Sequence, residues 1–128
     1  MSNNLLTHPI TLLRLEGGAL LALALVGYAH TGGNWLLFAV LLLAPDLSAL
    51  GYVAGPRFGA ACYNLAHTTV IPLALVAVGL LLPSTLALIL ALIWWSHIGM
   101  DRLFAYGLKY PDAFKDTHLT HDLLAKMS

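Results

Sequence analysis

The stretch Leu86-Ala87-Leu88-Ile89-Leu90-Ala91-Leu92-Ile93-Trp94-Trp95-Ser96-His97-Ile98-Gly99-Met100-Asp101 decides how the rest of the chain is read. An unbroken apolar run opens it, and carried on to about Tyr106 it reaches the roughly 20 residues that a membrane-crossing helix needs. Two ionisable side chains then follow inside the same helix. His97 and Asp101 are four apart, so they share one face, one turn from each other. Ionisable groups within hydrocarbon are costly, and their default reading is functional, with a partner to be named.

Working outward, three further apolar runs cover about 10–30, 35–53 and 58–82, and the last span covers about 85–106. The chain has 128 residues, of which 59% are hydrophobic and only 9% charged. A soluble domain carries roughly 25% charged residues. The expected fold is therefore all-α: a polytopic membrane protein in which four transmembrane helices form a bundle. The spans leave room for one integral membrane domain, 1–128, with a polar interfacial segment at 107–128. Met1–Thr7 contains no Lys or Arg, so no secretory signal is expected. Cys62 is the only cysteine, which excludes an intramolecular disulfide and a thiolate zinc site and suggests a small packing residue. A formal net charge of zero argues against nucleic acid as the main partner.

All six basic residues fall on one side of a four-span threading: Arg14, Arg57, Arg102, Lys109, Lys115 and Lys126. Positive residues stay cytoplasmic, so both termini and the second loop are expected there. Turn signals agree with these boundaries: Thr31-Gly32-Gly33-Asn34, Gly51 to Pro56, and Pro83-Ser84. Asn34 and Ser84 are suited to cap the second and fourth helices. Pro45 lies within the second span and should kink it beside Asp46. The far half of the bundle carries no ionisable side chain in its spans and reads as an apolar anchor.

With alternating spans, Glu16, Asp46, His67, His97 and Asp101 are expected in the same half of the bilayer. Two imidazoles and several carboxylates read first as a metal site, with Asp46, His67, His97 and Asp101 as ligands. The competing readings are an intrahelical hydrogen bond for His97 and Asp101, a packing role for His67, and an ion pair of Asp46 with Arg57, Arg102 or Arg14. Asn64 and Tyr63, near His67 on the third span, can supply the supporting hydrogen bonds that metal ligands require, or contact substrate. Arg14 and Glu16 are two apart and point in different directions. Glu16 is a candidate general base or ligand. Arg14 and Arg102 are candidates to hold an anionic substrate group, or else to snorkel toward head groups. A tail folded over the bundle mouth would bring in His118 as a further ligand or an acid/base; otherwise the tail is an interfacial anchor.

Nitrogen and oxygen ligands without thiolate suit Zn, Mn or Fe(II). Such an ion lowers the pKa of a bound water and polarises a phosphoryl oxygen. The function expected is a membrane-embedded metal-dependent hydrolase acting on an amphiphilic substrate, such as a lipid phosphoester, at the cytoplasmic leaflet. Membrane lipids are the expected partners, and a homo-oligomer is compatible with the sequence. The alternatives are a small transporter or proton relay, and a structural membrane protein whose polar cluster is not catalytic. A di-iron oxidase ranks lower, because paired Glu-x-x-His motifs are its hallmark and Glu16 is the only glutamate.

Several segments carry a resemblance: Arg14-Leu15-Glu16-Gly17, Pro45-Asp46-Leu47-Ser48, Gly59-Ala60-Ala61-Cys62-Tyr63-Asn64-Leu65-Ala66-His67, His97-Ile98-Gly99-Met100-Asp101-Arg102, Tyr106-Gly107-Leu108-Lys109-Tyr110-Pro111 and Thr117-His118-Leu119. Over about 10–119 the chain resembles a small bacterial membrane family known only as a domain of unknown function. That likeness implies a bacterial inner membrane location and no activity. A weaker likeness is to membrane-bound metal-dependent hydrolases related to phospholipase C and the P1-type nucleases. These use a Pro-Asp at a helix and a His-x-x-x-Asp pair, which implicates Asp46, His67, His97, Asp101 and His118. Here Leu47-Ser48 follow Pro45-Asp46 where that group has a second Asp.

Overall fold

The computed structural model describes residues 7–104, 106–108 and 117. Most of the expected interfacial tail, His118 included, lies outside the described residues. Among those residues the chain is helical, without β-strands.

Helix α1, Pro9–Thr31, begins on a proline, whose missing N–H costs nothing in a first turn. Asn34 caps α2, Trp35–Leu42, by accepting from the Leu36 N–H at 2.7 Å. The Tyr28 hydroxyl donates to the Asn34 carbonyl at 2.6 Å and stitches this hairpin together. The rings of Tyr28, Trp35 and Phe38 pack with centroids 4.9–5.1 Å apart. Tyr28, Phe38 and Ile93 form the apolar core at this end.

The second span does not continue as an α-helix. After Leu42 it becomes a 3₁₀ helix, Ala44–Ala54. Pro45 removes one hydrogen bond, and the Asp46 N–H turns to the Leu43 carbonyl at 3.1 Å instead of that of Leu42. Eleven residues is long for a 3₁₀ helix, whose eclipsed side chains and poorer hydrogen bonds usually limit it to three or four. Gly55, at φ 119° and ψ 163°, makes the turn in a conformation that side chains rarely adopt.

The third span, expected to be continuous over 58–82, is instead divided. Helix α3, Pro56–His67, ends at the histidine, and α4, Val70–Leu81, resumes with the axis bent by 42°. The reason is Pro72: in an unbroken helix its ring would meet the Thr68 carbonyl, whereas in the first turn of α4 it fits without penalty. Helix α5, Thr85–Leu103, is capped by Ser84 as expected, the Ala87 N–H donating to its Oγ at 3.3 Å. It stops at Leu103, three residues short of the expected end.

Three stretches are long and apolar enough to cross a membrane: Pro9–Thr31, Trp35–Ala54 and Thr85–Leu103, with the bent α3–α4 pair as a fourth. Leu23, Leu36, Val53 and Leu81 are among many large apolar residues on the outer surface, as lipid contact requires. Helix α5 packs on α1, α2 and α4, and the 3₁₀ helix packs on α3. The α1–α5 crossing needs bare backbone: a Cβ on Gly17 would lie 2.3 Å from the Arg102 Cβ, and one on Gly99 would lie 2.7 Å from the Gly17 carbonyl. Near it, the Arg14 Nε–H donates to the Leu103 carbonyl at 2.8 Å, so the start of α1 lies beside the end of α5. Cys62 fills space against Gly51, the packing role expected.

Candidate metal centre

Asp46, His67, His97 and Asp101 reach one point from three spans. One nitrogen or oxygen from each lies within 4.8 Å of the others. The two Nε2 atoms are 3.1 Å apart. Asp46 Oδ1 is 3.2 Å from each of them, and Asp101 Oδ2 is 3.1 Å from His97 Nε2 and 3.6 Å from His67 Nε2. Both histidines are buried.

The breaks in the helices set this geometry. With the Asp46 N–H bonded to Leu43, the Leu42 carbonyl is released and accepts from His97 Nδ1 at 2.6 Å. His67 Nδ1 donates to the Tyr63 carbonyl at 2.7 Å, and its ring stacks on Tyr63 at a centroid distance of 3.7 Å. A carbonyl can only accept, so each Nδ1 carries the proton, and in the neutral ring each Nε2 presents a lone pair. Such a bond orients the ring and fixes its tautomer, as metal-bound histidines require.

Four electron-pair donors thus face one another, two of them on carboxylates. Both imidazoles cannot be charged together without two N–H groups meeting head-on at 3.1 Å. One divalent cation satisfies all four and cancels the two carboxylate charges. The distances agree: a tetrahedral ion with ligands at ~2.0–2.1 Å has ligand–ligand edges of about 3.3–3.4 Å. The five observed separations of 3.1–3.6 Å fall around that figure.

Access is one-sided. The Asp46 side chain is 52% exposed, against 12% for Asp101 and 0–1% for the histidines. Three of the four residues are enclosed and the fourth, Asp46, stands at the opening.

The other candidate residues divide. Tyr63 supports His67 through its ring and its carbonyl. Asn64, on the same helix, is half-buried. Glu16 is exposed and also outside the group, because its neighbour Gly17 takes the position facing α5. No Arg or Lys pairs with either carboxylate among the described residues, so the ion-pair reading of Asp46 is not what the structure adopts. Arg102 donates to the His67 carbonyl at 3.1 Å and to the Tyr106 carbonyl at 2.9 Å. Trp94 Nε1–H donates to the Ala66 carbonyl. Sequence reasoning did not foresee the bonds to the Ala66 and His67 carbonyls. The signal was Pro72, which implies a helix break and hence carbonyls in need of donors.

Fold and site together define a helical chain with apolar helices long enough to span a membrane and a partly buried His₂Asp₂ cluster. The chain belongs to the family described as a domain of unknown function (DUF4260), which matches residues 10–121. No curated protein and no solved structure matches the chain, so the likeness to phospholipase C and P1-type enzymes rests on the two short motifs alone.

Proposed function

We propose that the protein is a membrane-embedded metal-dependent hydrolase that cleaves a phosphoester of an amphiphilic substrate. The observation that carries this is the pair of Nε2 atoms 3.1 Å apart, ringed by two carboxylate oxygens that make no Arg or Lys salt bridge among the described residues. A bound Zn, Mn or Fe(II) ion would polarise a phosphoryl oxygen and acidify a water. His67, His97 and Asp101 would hold the ion from enclosed positions, and Asp46, at the opening, would complete the set and accept a proton from the attacking water. The water oxygen bonds to phosphorus, the ester P–O bond breaks, and the leaving alcohol takes up a proton.

The distribution of basic residues supports a site opening toward the cytoplasmic leaflet of a bacterial inner membrane with both termini on that side. A transport role is less well supported, because the packed aromatic cluster of Tyr28, Trp35 and Phe38 fills the opposite end. The test is metal analysis of protein purified without chelators, joined to phosphate release from phospholipid vesicles. About one ion per chain is expected, lost together with turnover in His97→Ala. Wild-type protein that neither contains nor takes up Zn, Mn or Fe(II) refutes the reading.

A further inference from the structure

Beside the cluster, one turn deeper along α5, lies a cavity of about 190 Å³. Its walls include Leu41, Pro45, Ala66, Leu90, Ile93 and Trp94. Three of these walls adjoin ligands: Pro45 precedes Asp46, Ala66 precedes His67, and Ile93 lies one turn before His97. The cavity therefore lies next to the centre, walled by the sequence neighbours of the cluster rather than by the four residues themselves.

The lining also says what the cavity accepts. Its two polar side chains are committed to the main chain: Ser48 Oγ–H donates to the Pro45 carbonyl at 2.7 Å, and Trp94 Nε1–H donates to the Ala66 carbonyl. The rest of the wall is hydrocarbon, so a polar ligand would lose its hydrogen bonds on entry, whereas an alkyl chain loses nothing. Taking the ~30 Å³ of one water as the unit, the space holds about six chain carbons.

We propose that this groove seats one alkyl chain of a membrane amphiphile, placing its phosphorylated head at the metal centre. The inference rests on the hydrolase reading and specifies its substrate as a lipid held by its tail. The chain passes from one hydrocarbon environment to another, so the groove supplies position rather than affinity. Occupancy is therefore to be read by location.

The probe is a phosphatidic acid with a photoreactive diazirine at the sixth acyl carbon, in phosphatidylcholine nanodiscs carrying the full chain. Labelled residues are mapped by peptide mass spectrometry. Label on Leu90, Ile93 and Trp94 is expected several-fold above that on the lipid-facing Leu23, Val53 and Leu81. Ala66→Phe, and independently Leu90→Trp, should bring groove label down to that background with metal content unchanged. Even labelling of all lipid-facing residues in the wild type overturns the proposal, as does groove label indifferent to both filling variants, or groove residues cross-linked to a second chain. Groove label that persists in metal-free wild-type protein, and still falls on filling, overturns the hydrolase reading and keeps the chain site.

Discussion

Pro45→Ala tests whether the helix break builds the centre. The substitution restores an N–H and replaces the worst helix residue by the best, a difference of about 3 kcal/mol in a helix interior. The second span is then expected to continue as an α-helix through Asp46. From Leu43 to Asp46, three residues of 3₁₀ helix turn about 360° and rise about 6 Å, whereas three of α-helix turn about 300° and rise about 4.5 Å. Asp46 thus swings by about 60° and drops by about 1.5 Å. On a Cα radius of ~2.3 Å the swing alone moves its Cα by about 2.3 Å, and its carboxylate further. That exceeds the tolerance of a metal–oxygen bond, which is about 0.2 Å. The Asp46 N–H also reclaims the Leu42 carbonyl and takes it from His97 Nδ1. Losing such a supporting bond costs about 10–100-fold in metal affinity, and losing Asp46 adds to that. The assay is chelator competition for Zn or Co, with circular dichroism to confirm an equally helical protein. Wild-type metal affinity in a folded Pro45→Ala protein would refute the link between the break and the site.

Three further outcomes follow from the same geometry. Asp101→Asn should abolish stoichiometric metal, whereas Asp46→Asn, at the exposed position, should retain it at affinity lowered by about 10–100-fold, taking the loss of a supporting group as the scale; equal loss in metal titrations of both would contradict the one-sided site. Acidification should release the ion, since imidazole and carboxylate bind metal only when deprotonated; in equilibrium dialysis from pH 7.5 to 5 the bound metal should fall, and a rise would contradict the assignment. Gly99→Ala should destabilise the bundle by about 1–3 kcal/mol, the usual cost of overpacking, because the new methyl meets backbone at 2.7 Å; an unchanged melting temperature in detergent would show that α1 and α5 separate freely.

The spans were legible from hydrophobic run length, because a bilayer imposes one length on every crossing helix. The four clustered residues were legible too, since a carboxylate or imidazole in an apolar helix is a rare expense and the spans set their depth. Glu16 was not, because depth does not give azimuth: Gly17 and Gly99 decide which face of α1 meets α5, and that depends on a pairwise fit. The division of the third span at His67 depended on how Pro72 is accommodated, by a kink or by a fresh start. Only the packed structure shows that Trp94 and Arg102 donate to the carbonyls near the break and make the fresh start affordable.

Main-chain oxygens near the two interruptions, on Leu42, Ala66 and His67, all accept from side chains of α5: His97, Trp94 and Arg102. Chains are synthesised from the amino end, so the earlier hairpins enter the bilayer before those donors exist. Until α5 arrives these carbonyls lack the side-chain donors that satisfy them in the packed structure. Two of the four clustered residues, His97 and Asp101, lie on α5 as well, so the cluster is complete only once that helix has packed.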